Sequence, residues 1–157
     1  MVTQKFIEKV ENLNNAVDTF WSKFKENEIP ESGSVEDKEF DKLMNHIDSF
    51  VGKVLNKQDT ECLEYLLNNL YCYESWCFNI VTCAAEGKCQ SLQTLVDFGV
   101  NPHIDNDYAL KLAKENKQEE AIKILTKKQK TKQYPVTLKV DTKICKALEE
   151  KFSKGGN

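Results

Sequence analysis

Apolar residues recur near the start of the chain at Phe6, Val10, Leu13, Val17, Phe20 and Phe24, in steps of 4, 3, 4, 3 and 4. That spacing draws one stripe down an α-helix. The pattern predicts a helix continuing toward Pro30, with Trp21 widening the stripe. Two uses fit it. The stripe packs on the rest of its own domain, or, because a strict 4/3 alternation is what a coiled coil needs, it forms a seam through which the chain makes a homo-oligomer. A polar stretch from Glu31 to Asp37 interrupts the pattern, and Ser34 with Asp37 three residues on has the form of a capping box. Phe40, Leu43, Met44, Ile47, Val51, Val54 and Leu55 then resume helical spacing. Asp59 or Thr60 is placed to cap a short helix carrying Cys62, Leu63, Leu66 and Leu67.

Beyond residue 48 the apolar pattern repeats itself. Val51, Val81 and Leu110 are separated by 30 and 29 residues, as are Val54, Ala84 and Ala113. Leu63, Leu92 and Ile122 are separated by 29 and 30, and so are Leu66, Leu95 and Leu125. A single deletion in the middle copy, between Ala84 and Leu92, reconciles the two sets. Each copy holds two short amphipathic segments divided by polar residues such as Glu86-Gly87-Lys88 or Glu115-Asn116-Lys117. A helix pair repeated along a stack is the architecture such a period predicts.

The residues of the second and third copies resemble a known family. Val81-Thr82-Cys83-Ala84-Ala85-Glu86-Gly87 through Leu95-Val96-Asp97-Phe98-Gly99-Val100-Asn101 looks like an ankyrin repeat. Asp105-Asn106-Asp107-Tyr108-Ala109-Leu110-Lys111-Leu112-Ala113-Lys114-Glu115-Asn116 is similar to the short-loop ankyrin variant of large DNA viruses, with a period near 30. The resemblance covers about residues 48–128; the 48–70 copy is supported mainly by register. The family's Thr-Pro-Leu-His opening is absent, its places reading Tyr108-Ala109-Leu110-Lys111 and Asn79-Ile80-Val81-Thr82. Asp107 is expected to cap the later helix instead. Of the positions that follow the second helices, Leu70, Gly99 and Gln129, only Gly99 suits a left-handed C-cap. The implied fold is all-α: a short ankyrin-like helical-repeat solenoid with N-terminal capping helices and a C-terminal helix. It divides the chain into an N-terminal amphipathic helix (1–30), a linker and capping helix (31–47), ankyrin-like repeats (48–128) and a basic tail with a C-terminal helix (129–157).

Charge sharpens the last boundary. The net charge is −3, yet residues 1–126 hold 13 Lys against 22 acids, giving −9, while residues 127–157 hold 9 Lys against 3 acids, giving +6. Lys127, Lys128, Lys130 and Lys132 form an acid-free run. Val136, Leu138 and Val140 alternate after Pro135 as in a short strand or extended strap, and Ile144, Leu148 and Phe152 give one face to a last helix from Asp141. Arg is absent throughout. Without its planar fork, sequence-specific nucleic-acid reading is not expected, and the Lys run offers only salt-sensitive attraction to nucleic acid or anionic surfaces. No segment approaches the length of a membrane span and no signal-peptide pattern opens the chain, so a cytoplasmic protein is expected, in the host cytoplasm if the viral flavour is a guide, with nuclear entry left open.

Candidate chemistry is thin. The six Cys are 62, 72, 77, 83, 89 and 145, and their C-x4-C and C-x5-C steps have no nearby His to complete a zinc knuckle, so reduced, buried thiols are expected, with no metal and no cofactor. His46 and His103 are the two imidazoles, and a Cys-dependent enzyme is the remaining catalytic alternative. The resemblance implies a non-catalytic module that binds another protein, as an inhibitor or adaptor. Its contact residues are expected in the two loops between helix pairs: Tyr71, Tyr73, Glu74 and Trp76 in the first, and His103, Asp105, Asn106, Asp107, Tyr108 and Lys111 in and after the second. Tyr and Trp bury large area at low entropic cost, which suits either a partner contact or the core.

Overall fold

The structure is a computed structural model that describes residues 1–25, 28–71, 73 and 75–128. Seven helices and no strand occur among the described residues: α1 (Gln4–Trp21), α2 (Val35–Lys57), α3 (Thr60–Asn69), α4 (Trp76–Glu86), α5 (Cys89–Asp97), α6 (Ile104–Glu115) and α7 (Glu119–Thr126). The all-α expectation holds for this part of the chain. The predicted strap and last helix, Lys130, Lys132, Glu74, Cys72 and Cys145 lie outside the described residues.

Helix starts follow the chemistry of their first residues. The Thr3, Ser34 and Asp59 side chains accept hydrogen bonds from the backbone N–H groups of Phe6, Asp37 and Cys62, at 3.2, 3.0 and 3.0 Å. At α2 the capping box closes one residue further out than the simplest form, because Asp37 Oδ2 accepts from the Gly33 backbone at 2.9 Å. Helix α1 stops at Trp21, short of Pro30. Its stripe faces inward: Val10, Leu13, Val17 and Phe20 are buried. Phe6 meets Phe50 of α2 and Tyr65 of α3, and Phe20 with Trp21 meets Phe40 of α2, at ring separations of 5.2–6.0 Å. Asn14, buried within the stripe, donates to the last carbonyl of α3, Asn69, at 2.7 Å. Of the two uses expected for the stripe, packing on its own domain is the one seen here, because the stripe is covered from within.

The boundary expected between residues 47 and 48 falls inside α2, which runs without a break across it. From there the helices contact in order: α2 with α3, α4 with α5, α6 with α7, then α3 with α5, α5 with α7 and α4 with α6. Each of the three pairs reverses through a left-handed residue, Gln58 (φ 50), Gly87 (φ 68) or Lys117 (φ 55). These sit 29 and 30 residues apart. The N–H groups of Lys88 and Gln118, just past the last two turns, reach back to the carbonyls of Cys83 and Ala113 at 2.9 and 2.8 Å, the six-to-one bond that closes a helix end. Val54 to Gln58 and Ala113 to Lys117 span four residues where Ala84 to Gly87 spans three, so the deletion lies in the last turn of α4. The register residues Leu66, Leu95 and Leu125 are buried, as are Val54, Ala84 and Ala113.

Polar side chains tie neighbouring turns together. The Lys88 ammonium donates to Asn56, Gln58 Oε1 accepts from the Gln90 backbone at 3.0 Å, and the buried Ser91 hydroxyl donates to the Leu55 carbonyl at 2.9 Å. One pair further on, Asn116 and Gln118 both donate to the Ala85 carbonyl. Two of the groups served, the Leu55 and Ala85 carbonyls, lie in the last turns of α2 and α4, where the intrahelical ladder runs out.

Candidate functional site

The two connectors between helix pairs have opposite characters. In the first, the described side chains of Leu70 and Tyr73 turn inward. Leu70 is buried, and Tyr73 (2% exposed) stands edge-on to Trp76 (8% exposed) at 4.8 Å. The Tyr73 hydroxyl accepts from Asn79 Nδ2 at 3.0 Å. Burial pushes its phenol well above the usual range; the Asn79 hydrogen bond opposes this in part, and the Asp48 carboxylate adds to it. Tyr73 and Trp76 therefore serve the core, which corrects their expected place on a contact surface. Tyr71 is half-buried, and its hydroxyl donates to Asp18 of α1 at 2.9 Å. It binds the connector to α1.

The second connector turns outward. His103, Asp105, Asn106, Asp107, Tyr108 and Lys111 are all exposed. Asp105, Asn106 and Asp107 are left-handed in succession, at φ 49, 55 and 62, so the right-handed course of α6 begins only at Tyr108. Asn and Asp tolerate this region better than other residues with a Cβ, yet three in a row is costly. Asp107 does not cap the helix as expected. Its Oδ1 lies 2.5 Å from His103 Nδ1, because the left-handed turn swings the carboxylate back toward the residue that precedes α6. The Asn101 side chain accepts from the His103 backbone at 3.0 Å and steadies the approach.

Beside this connector lies a cleft of about 620 Å³. Val96, Val100, Leu110 and Leu125 supply its apolar surface, Gly99 and Pro102 one wall, and His103, Asp107, Lys127 and Lys128 line it with polar groups. Lys127 and Lys128, expected as part of an electrostatic tail, are exposed there. Compared with family models, curated proteins and solved structures, the chain matches none.

A residue outside the expected set joins the exposed group. Phe78, on the second position after Trp76 in α4, is 69% exposed, and Tyr108, at the start of the right-handed part of α6, is 42% exposed. Helices α4 and α6 pack together. The sequence offered a signal for Phe78: it falls two residues before Ile80, off the buried face that Trp76, Ile80, Cys83 and Ala84 define.

The thiols are the remaining reactive groups. Cys62 and Cys83 are buried and Cys77 and Cys89 partly so, none in a disulfide. Burial raises all four, Cys83 to about 12, so at neutral pH each is held as the thiol. His46 contacts Lys9 Nζ at 3.0 Å. Among the described residues no three His, Cys, Asp or Glu side chains gather as a metal ion would need, and no helix is long and apolar enough to cross a membrane.

Proposed function

We propose that the chain is a non-catalytic module that binds another protein, built as a short ankyrin-like stack of three helix pairs. The recurrence of one left-handed turn at Gln58, Gly87 and Lys117 supports the stack, because each turn is followed by a second helix whose apolar residues keep the same register. What carries the binding reading is the second connector. It holds three successive left-handed residues, a His103–Asp107 pair and Tyr108 in an outward course that the core does not require. A polar loop presenting one exposed aromatic residue, on a helix that packs against the α4 carrying a second, Phe78, has the composition of a contact surface with an anchor and a polar rim. Elevated pKa values of the four described thiols weigh against any of these acting as a nucleophile, which needs the thiolate.

The test is affinity capture by the full chain, followed by quantitative mass spectrometry. Tyr108→Ala combined with Asp105→Asn removes the aromatic ring and one charge while keeping a residue that accepts the left-handed backbone. With an unchanged melting curve, this variant is expected to lose about thirtyfold in affinity for the captured protein, the effect of truncating one hot spot. Full capture by the folded variant would overturn the assignment of this surface.

A further inference from the structure

We propose that the cleft beside the second connector receives a short acidic peptide segment of the partner protein, with one apolar side chain on the cleft floor and carboxylates against Lys127 and Lys128. This rests on the reading of that connector as a contact surface and adds the chemistry of what it contacts. The cleft opens because the two connectors differ at matching places. Between Leu66–Val81 and Leu95–Leu110 the offset is a constant 29 residues, which sets Gly99 where the first connector has Leu70 and Pro102 where it has Tyr73. Leu70 and Tyr73 are buried. Their counterparts line about 620 Å³ of open volume, in which Val100 and Leu110 stay half-buried. An apolar side chain laid on those two would remove their remaining apolar surface from water.

Charge selects the rest of the occupant. Residues 1–126, with 13 Lys against 22 acids, carry −9, yet the cleft reverses that sign. Lys127 and Lys128 line it against one carboxylate, Asp107, which already faces His103. Among the described residues neither Lys forms an ion pair, whereas Lys23, Lys88 and Lys123 each meet a Glu. Both are exposed just past α7, so their ammonium groups can turn onto a carboxylate without disturbing a helix. The run they begin has four Lys and no acid through Gln133, and its field draws acidic groups toward this end of a body that elsewhere repels them. A nucleic-acid strand fits less well. Among the described residues no Phe, Tyr or Trp lines the cleft to stack a base, the chain has no Arg to fork a phosphate, and Asp107 stands in the lining. An extended peptide sends successive side chains to opposite sides, so an apolar residue entering the floor leaves its Asp or Glu neighbours at the rim, within reach of long Lys side chains.

Fluorescence anisotropy on the full chain tests this at physiological ionic strength, with a labelled peptide in which Leu is flanked on both sides by Glu. Saturable binding is expected, and titration should shift the methyl resonances of Val100 and Leu110. Lys127→Gln with Lys128→Gln should weaken binding about tenfold, while Lys130→Gln with Lys132→Gln, which removes the same charge further along the run, should change it less than about twofold. Replacing the peptide's Leu by Ser should also cost about tenfold. That arm leaves the protein unaltered, so it stays decisive whatever the variants do to the fold. Equal weakening by the two Lys pairs, an equally tight Ser peptide or absent methyl shifts would each overturn the proposal. Displacement by a single-stranded oligonucleotide at lower concentration than by unlabelled peptide would do the same, by assigning the cleft to nucleic acid. Asp105 and Tyr108 do not line the cleft. Tyr108→Ala with Asp105→Asn is therefore expected to keep the peptide's affinity, so a failed cleft and a failed connector surface read out separately.

Discussion

Gly87 and Lys117 occupy the same left-handed place in successive turns, and only one is a glycine. At Gly87 a Cβ would fall 2.3 Å from Gln118 Oε1, so Gly87→Ala meets both an unfavourable backbone and the side chain that bonds Ala85. It is expected to cost about 1–2 kcal/mol in a denaturant titration. Lys117→Gly should move the other way, stabilising by about 0.5–1 kcal/mol, since its exposed side chain loses little and the strain at φ 55 is relieved. Equal responses at the two sites would mean that the turns are not equivalent. Cys83 supplies a pH dependence. Its folded pKa of about 12 lies above the ordinary value of 9.0, so the unfolded chain releases this proton first as pH rises. The stability it contributes is whole below pH 9 and is lost between 9 and 12. A Cys83→Ala variant should show a shallower decline over that window. Alkylation at neutral pH should reach the partly exposed Cys77 and Cys89 before Cys62 and Cys83.

Among elements, the helix starts were the most legible and the connectors the least. A cap is a local event, one hydroxyl or carboxylate meeting an N–H two or three residues on, so Ser34 could be named from sequence alone and Asp59 as one of two adjacent candidates with Thr60. Ser34→Ala is expected to cost about 1 kcal/mol in thermal or chemical unfolding, by freeing the Asp37 N–H at the start of α2. A connector has no period to betray which way its side chains face. Tyr73 and Trp76 were therefore ambiguous between partner and core until the packing of α4 placed them inside. Likewise Asp107 carried the right chemistry for a cap, but the left-handed run from Asp105 turned its carboxylate onto His103. Tyr73→Ala is accordingly expected to cost about 3–5 kcal/mol, the range for large aromatic residues in a core, while Tyr108→Ala should stay within about 0.5 kcal/mol. Comparable losses would blur the contrast between an inward and an outward connector.

At the scale of the molecule, long-range order rests on residues that recur at 29 or 30 and on one helix that does not recur. The recurring core positions were readable because the apolar register returns at a fixed interval, and Leu95, buried in the helix α5 that packs against α3, α4 and α7, is its clearest member. Leu95→Ala should cost about 2–5 kcal/mol, with Gln93→Ala within about 0.5. Helix α1 was harder, since the same 4/3 stripe serves a helix packed on its own chain or a seam between chains. The deciding facts are three-dimensional: Val10, Leu13, Val17 and Phe20 are buried against neighbours supplied by α2 and α3, and Asn14 is bonded to the end of α3. With the stripe covered, self-association has no seam in α1, and sedimentation is expected to give a monomer of 18.1 kDa whose mass does not rise with concentration. Leu13→Asp separates the two arrangements. A seam mutation would dissociate an oligomer and leave each chain folded, whereas an unpaired carboxylate placed in this core should abolish the cooperative helical unfolding transition itself. A folded Leu13→Asp monomer derived from a wild-type dimer would therefore refute the internal packing of α1.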